Sequence, residues 1–329
     1  MERRQLGLGG PELTGVGLGT WARGGPWQFG WGALDDDDSV AAIRHAVGSG
    51  VNWIDTAAVY GLGHSEEVVG RALAGFDAGR EVLVATKCGR NWYDSGGEEV
   101  VYDLRPASIR NECEQSLRRL GVERIDLYQI HWPDLATGTA VEESWGTMAE
   151  LVDEGKARWI GVSNFDVELL ERCRAVRHVD SARNAVLPWC VANGTGAVVH
   201  SPMAAGLLTG TFDRGRLAGL PEDDWRRRAP AFQEPQLSAN LALVERLRPL
   251  LAQRHGTTLS ALAVAWTLAQ GGVTSAIVGA RRPGQVDGWL PAPELALGRD
   301  DLEEIERAIE ETGAGTDETP SPPPLVRVR

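Results

Sequence analysis

The chain is short of several things, and each shortage removes a class of protein. It has four cysteines, Cys88, Cys113, Cys173 and Cys190, with no CxxC or other metal-ligand spacing. A disulfide scaffold and a zinc module are excluded, no metal site is expected, and the thiols should be free in a reducing compartment. Lysine and arginine number 33 against 46 acidic residues, for a formal net charge of −13. Without a basic excess to neutralise phosphates, neither a nucleic acid nor an anionic membrane is an expected partner. No apolar run reaches the ~18 residues of a membrane helix, and no charged-then-apolar signal segment opens the chain. The expected location is the cytoplasm. The G-x-G-x-x-G fingerprint is also missing: Gly15, Gly17 and Gly19 are spaced differently, and Gly61-Leu62-Gly63 lacks the third glycine. That removes the doubly wound dinucleotide fold.

What is present is a repeating alternation of strand and helix over 329 residues, with 43% apolar and 24% charged residues. Such a chain needs no staple to hold its core. Gln5–Gly10 reads as a hairpin capping something larger, and 16–21 as a first buried strand. Asp35 to Asp38 suit a helix N-terminus, where acids face the positive end of the dipole. Strands are then expected over 51–56, 82–87, 125–131, 157–163, 196–201 and 274–279, with a doubtful one near 178–183. Helices are expected over 65–74, 107–120, 141–154, 167–176, 240–255 and 259–270. Continuous apolar strands between amphipathic helices mean a parallel sheet covered by helices. Eight units predict a closed (β/α)8 TIM barrel with an N-terminal β-hairpin cap. It should form one domain over 1–311. The proline-rich remainder, 312–329, should be a flexible tail.

Three apolar strands end in a polar residue: Asp55, Lys87 and His131. Tyr60 lies in the loop just past Asp55. In a parallel barrel, strand C-termini converge on one mouth. A phenol in water, with a pKa near ~10, donates a proton poorly at pH 7. An ammonium beside it favours the phenolate. The ammonium in turn is costly to bury without a carboxylate, which Asp55 supplies. His131 can hydrogen-bond a carbonyl or assist proton transfer. Singly, each residue has an ordinary structural reading. Together they point to an enzyme that delivers a proton to a carbonyl.

The chain resembles the aldo-keto reductase family from about Gln5 to Ile309. The resemblance is carried by Asn52-Trp53-Ile54-Asp55-Thr56-Ala57 with Tyr60-Gly61, Ala85-Thr86-Lys87, and Asp126-Leu127-Tyr128-Gln129-Ile130-His131-Trp132. It continues through Ile160-Gly161-Val162-Ser163-Asn164-Phe165, Ser201-Pro202-Met203, Gly206–Gly210 and Gly279-Ala280-Arg281. It implies an NADPH/NADP+ cofactor bound extended on the barrel, with hydride passing to a carbonyl carbon and Tyr60 protonating the oxygen. Lys87 and Asp55 would tune Tyr60, and His131 would orient the substrate. Ser163 and Asn164 would hold the carboxamide, Ser201 and Leu207 would wrap the pyrophosphate, and Arg281 would grip the 2′-phosphate. Gly279 and Gln285 belong to the same cofactor side. Trp21, Trp27, Trp92 and Trp132 should wall a pocket for a small carbonyl or sugar-like substrate. The run Arg226–Arg228 reads as a solvated face. No oligomeric state is assigned.

Three departures from the family pattern touch the cofactor side. The sixth βα unit is shortened, which puts Arg183 near the place of a carboxamide-binding glutamine. His200 stands where a stacking tyrosine is common. Gly288-Trp289 replaces an acid and an amide, leaving Trp289 either stacked on adenine or in the core. These departures keep two other functions open: redox-neutral elimination or epimerisation on the same fold, and a cofactor-sensing regulatory subunit.

Overall fold

A computed structural model describes residues 1–25, 30–32, 35–77, 79, 81–93, 99–182, 186–250 and 254–315. The chain opens with an antiparallel hairpin, β1 (Arg3–Gln5) and β2 (Glu12–Thr14). Then come β3 (Val16–Gly19), α1 (Asp36–Gly48), β4 (Trp53–Asp55), α2 (His64–Leu73) and β5 (Leu83–Cys88). A second hairpin, β6 (Arg90–Asn91) with β7 (Val101–Tyr102), precedes α3 (Pro106–Leu120). Next are β8 (Ile125–Ile130), α4 (Val141–Asp153), β9 (Ala157–Val162), α5 (Val167–Val176), β10 (Ser181–Ala182), α6 (Leu187–Asn193) and β11 (Gly196–His200). A long excursion bearing the short helix α7 (Arg214–Ala218) leads to α8 (Gln236–Leu250). Helix α9 (Leu259–Leu268), β12 (Val273–Gly279), α10 (Pro283–Asp287) and α11 (Arg299–Thr312) follow.

The order β3-β4-β5-β8-β9-β10-β11-β12 closes into a parallel barrel. The doubtful eighth strand is real but short. In β10, Ser181 pairs with Gly161 on one side, and Ser181 and Ala182 pair with Gly196 and Ala197 on the other. Only residues 183–186 separate it from α6. Arg183 and the tail from residue 316 lie outside the described residues. Asp35 caps α1 as its position suggested, its carboxylate accepting the amides of Asp37 and Asp38.

Side chains alternate across each strand, so every second residue faces the barrel axis. Trp53 faces inward and fills the space left by Gly17, where a Cβ would sit 2.0 Å from the indole. Its Nε1 donates to Ser275 Oγ at 3.1 Å, and Ser275 Oγ donates to the Thr14 carbonyl at 2.7 Å. Leu83, Ala85, Leu127, Val198 and Ile277 share this layer, and Leu6 and Leu13 of the hairpin close it from below. One inward step further up β4 stands Asp55, and the next inward position above Ala85 on β5 is Lys87. The same alternation thus sets an apolar floor and a polar mouth, and a one-residue slip of either strand would turn its polar residue outward.

Candidate active site

Three elements deliver the polar residues. Asp55 ends β4, Lys87 is the penultimate residue of β5, and His131 follows β8. Lys87 Nζ donates to Asp55 Oδ1 at 2.9 Å and to the Thr56 carbonyl, and the two side chains are 0% and 3% exposed. The ammonium lies 5.0 Å from the centroid of the Tyr60 ring. His131 meets that ring edge-on, with centroids 5.8 Å apart and planes at 80°. All four residues the sequence singled out for chemistry come together at the barrel mouth.

The turn bearing Tyr60 is held from outside the barrel. Gly61 has φ +62, and a Cβ on it would sit 1.9 Å from the Gly24 carbonyl oxygen. Only glycine allows this backbone-to-backbone contact between the Tyr60 turn and the Trp21–Arg23 turn. His131 is anchored through its main chain: its amide donates to the Cys88 carbonyl at 3.0 Å, and its carbonyl accepts Asn164 Nδ2 at 2.9 Å. Asn164 takes φ +61, which asparagine tolerates, and also donates to Ser163 Oγ at 3.1 Å.

On the other side of the mouth, Ser201, Ala204 and Ala205 take φ of +59, +46 and +52, and Gly206 takes +104. Such a run is strained for residues other than glycine. Ser201 and His200 are exposed, while the Leu207 side chain is buried among Phe212, Phe232 and Leu237. Gly279 is exposed, with nothing within 4 Å of where a Cβ would stand. Gln285 Oε1 accepts the amides of Arg281 and Arg282 at 2.7 and 3.2 Å and so caps α10. Trp289 is 1% exposed within the main core, which decides for the core reading over adenine stacking.

The arginine run is not a solvated face at its first member. Arg226 is 5% exposed, grips Asp224 through Nε at 3.0 Å and Nη2 at 2.6 Å, and lies 4.4 Å over Trp31. A buried guanidinium is retained because a fork-on-fork carboxylate pairs with it. Arg227 and Arg228 are exposed. Next to them, Trp225 stacks on Trp21 at 5.1 Å and 25°, and Trp31 meets both edge-on. The excursion after β11 is thereby fastened across the mouth to the loop after β3. Trp92 is buried beside the Tyr60 turn and stacks on Tyr93 at 4.6 Å. Trp132 is half-buried, and Trp27 lies outside the described residues.

One buried cation here, Arg23, escaped sequence reasoning, and it lies beside Arg281. Arg23 is 1% exposed and donates to the carbonyls of Ser39 and Ala280, with no carboxylate in ion-pair reach among the described residues. Burial, then the charge of Arg281, lowers it to about 9. Arg281 is itself lowered by burial and by the crowding of Arg226, Arg282 and Arg216, against the opposing pull of Asp224. Nothing local in the sequence marks Arg23 as buried; its neighbours are remote in the chain. Among the described residues no cluster of three or more His, Cys, Asp or Glu could hold a metal, and no helix is long and apolar enough to cross a membrane.

The family model described as "Aldo/keto reductase family" matches residues 15–310. The aldo-keto reductase YhdN of Bacillus subtilis (strain 168) is 36% identical over 323 residues, covering 95% of each chain. The NADH-specific methylglyoxal reductase of Escherichia coli (strain K12) is 34% identical over 334 residues, covering 94% of this chain and all of that one. The solved glycerol dehydrogenase AKR11B4 from Gluconobacter oxydans superposes with a TM-score of 0.84 at 38% identity, over 97% of this chain and 98% of that chain. With a closed parallel barrel and a polar mouth already in place, these likenesses over nearly the whole length identify the chain as a member of the aldo/keto reductase family.

Proposed function

We propose that the protein reduces an aldehyde or ketone on a small or sugar-like molecule to the alcohol, using NADPH, with Tyr60 as general acid. The observation that carries this reading is the buried Lys87–Asp55 pair at 2.9 Å, whose ammonium lies 5.0 Å from the Tyr60 ring. Relatives named for reducing methylglyoxal and oxidising glycerol lend support to a small oxygenated substrate.

The residues present suit a nicotinamide dinucleotide. Arg23, Arg281, Arg226 and Arg216 crowd together with Asp224 as their counter-charge, an arrangement that an added phosphate relieves. Gly279 leaves open space, and the left-handed residues Ser201, Ala204, Ala205 and Gly206 would present main chain to an anion. Ser163 and Asn164 would hold the carboxamide, the main chain at Ser201 and Leu207 the pyrophosphate, and Arg281 the 2′-phosphate. When bound, the dinucleotide supplies hydride to the carbonyl carbon. Tyr60 Oη gives its proton to the carbonyl oxygen. Lys87 stabilises the phenolate left behind, Asp55 keeps Lys87 charged and in place, and His131 orients the carbonyl oxygen. The indoles of Trp21 and Trp92 keep water from the reacting atoms.

The test is direct. NADPH fluorescence should quench on addition of protein, and initial rates should be followed at the nicotinamide absorbance with a panel of small aldehydes and ketones. Tyr60→Phe should lose about 10²–10⁴-fold in rate while still binding NADPH. Undisturbed NADPH fluorescence at millimolar protein, or full activity in Tyr60→Phe, overturns the reading.

A further inference from the structure

Three buried hydroxyls meet beside the Lys87–Asp55 pair. Thr20 follows β3, Thr56 follows β4 and Ser65 stands in the first turn of α2, and all three are 0% exposed. Ser65 Oγ lies 2.8 Å from Thr20 Oγ1 and 3.0 Å from Thr56 Oγ1. Each threonine is tied to the ion pair. The Thr20 amide and hydroxyl both donate to the Asp55 carbonyl, at 2.9 and 3.0 Å. The Thr56 carbonyl accepts the Lys87 ammonium. Ser65 reaches the phenol's own turn, its amide donating to the Tyr60 carbonyl at 3.2 Å.

Each hydroxyl has one proton, and the acceptors decide which way the protons run. The Thr20 proton lies on the Asp55 carbonyl, so Thr20 Oγ1 accepts from Ser65. The Thr20 carbonyl is 3.3 Å from Ser65 Oγ, so the Ser65 proton goes to Thr20 by one route or the other. Ser65 Oγ therefore accepts from Thr56. Run in reverse, the chain would end on a Thr56 proton with no acceptor among the described residues. A buried donor left unpaired is costly, and that sets the direction.

The first turn of α2 is held to the barrel a second time. Glu66, fully buried, accepts the hydroxyl of Thr86, the neighbour of Lys87, and its other oxygen pairs with Arg119 at 2.6 Å. Removing the Ser65 hydroxyl therefore leaves the helix seated and loosens only the tie between the ends of β3 and β4.

We propose that Ser65 is a positioning residue for the proton step. Its hydroxyl locks the ends of β3 and β4 together, so that Asp55 and the Thr56 carbonyl hold the Lys87 ammonium 5.0 Å from the centroid of the Tyr60 ring. Its amide fixes the turn that carries the phenol. The inference rests on Tyr60 being the proton donor. In that step the Oη–H bond breaks, the proton passes to the carbonyl oxygen, and the electron pair stays on Oη beside Lys87. Without the tie Lys87 drifts from the ring, and Tyr60 becomes the weaker acid.

The experiment is a phenolate titration at 295 nm, each variant read against the same variant carrying Tyr60→Phe so that only the Tyr60 signal remains. Ser65→Ala and Thr20→Val should each raise the midpoint by about half to one pH unit. Thr56→Val, at the head of the chain, leaves no buried proton without an acceptor and should raise it by less than about 0.3. The two valine variants keep the side-chain shape and carry the test if Ser65→Ala does not fold. In steady-state assays kcat should fall about tenfold in Ser65→Ala and Thr20→Val, with NADPH affinity unchanged within about twofold. Midpoints that stay at the wild-type value in both of these variants overturn the proposal, even if turnover falls. Loss of NADPH affinity in step with kcat also overturns it, because that is what general loosening of the fold produces. A Thr56→Val shift as large as that of Thr20→Val overturns the proton order. Absence of any turnover in the wild type instead sinks the reductase reading, and the titration still decides what Ser65 does to the phenol.

Discussion

Replacing Lys87 with methionine tests whether the mouth is built around an ion pair or merely contains one. The side chains are 0% and 3% exposed and 2.9 Å apart. At an effective dielectric near ~20, that separation gives a gross attraction of about 6 kcal/mol, set against a desolvation cost of similar size. Lys87→Met keeps the length of the side chain but leaves Asp55 without its cation, and Asp55→Asn leaves Lys87 without its anion. Each should cost about 3–5 kcal/mol of stability, because a buried charge loses its partner. The double variant removes both charges and should be destabilised by far less than the sum, with a coupling of about 2–3 kcal/mol. Urea unfolding of the four proteins followed by circular dichroism measures this cycle. Because the proposed function has the pair serve Tyr60, all three variants should be catalytically poor whatever their stability. Additivity within about 0.5 kcal/mol would refute the reasoning, since it would mean the two groups do not sense each other.

The other predictions concern the frame around the pair. Gly61→Ala puts a Cβ 1.9 Å from the Gly24 oxygen at φ +62. It should cost about 1–3 kcal/mol and lower kcat at least tenfold by moving Tyr60, measurable by melting and steady-state rates. Burial makes Glu112 hold its proton in the native state up to about 8, whereas an unfolded glutamate releases it near ~4.3. The native state therefore binds more protons between those values. This contribution to stability is full below the lower value, falls as pH rises, and levels off above the upper one. Glu112→Gln should flatten that slope and be the more stable protein at pH 8, by urea unfolding across the range. Asp224→Asn leaves the buried Arg226 without its carboxylate. Hydrogen exchange and proteolysis within 212–236 should rise at least tenfold, with the barrel strands unchanged.

Much of the barrel was legible because its strands are long enough to show a buried run ending in a polar residue. β5, β8 and β9 each have six residues and announce Lys87, His131 and Ser163 at or just past their ends. β10 was doubtful because two residues carry no period. Part of the pairing there belongs to Asp180, whose carboxylate accepts the Ile160 amide at 3.0 Å in place of a longer strand. The hairpin of β6 and β7 was missed for the same reason. The burial of Arg226 and Arg23 was hidden differently. An arginine is solvated unless something covers and pairs it, and the covering groups, Trp31 for one and the Ser39 and Ala280 carbonyls for the other, come from elsewhere in the chain.

The hairpin that closes the floor has a kinetic meaning. With Leu6 and Leu13 seated under Trp53, the barrel is a vessel with one opening. Traffic in and out shares that opening, and the Trp21–Trp225 clasp narrows it further. On the proposed function two ligands would share that opening, and the one seated deeper would have to arrive first and leave last. A tighter clasp would then slow turnover through exchange at the mouth, and a looser one would hasten it.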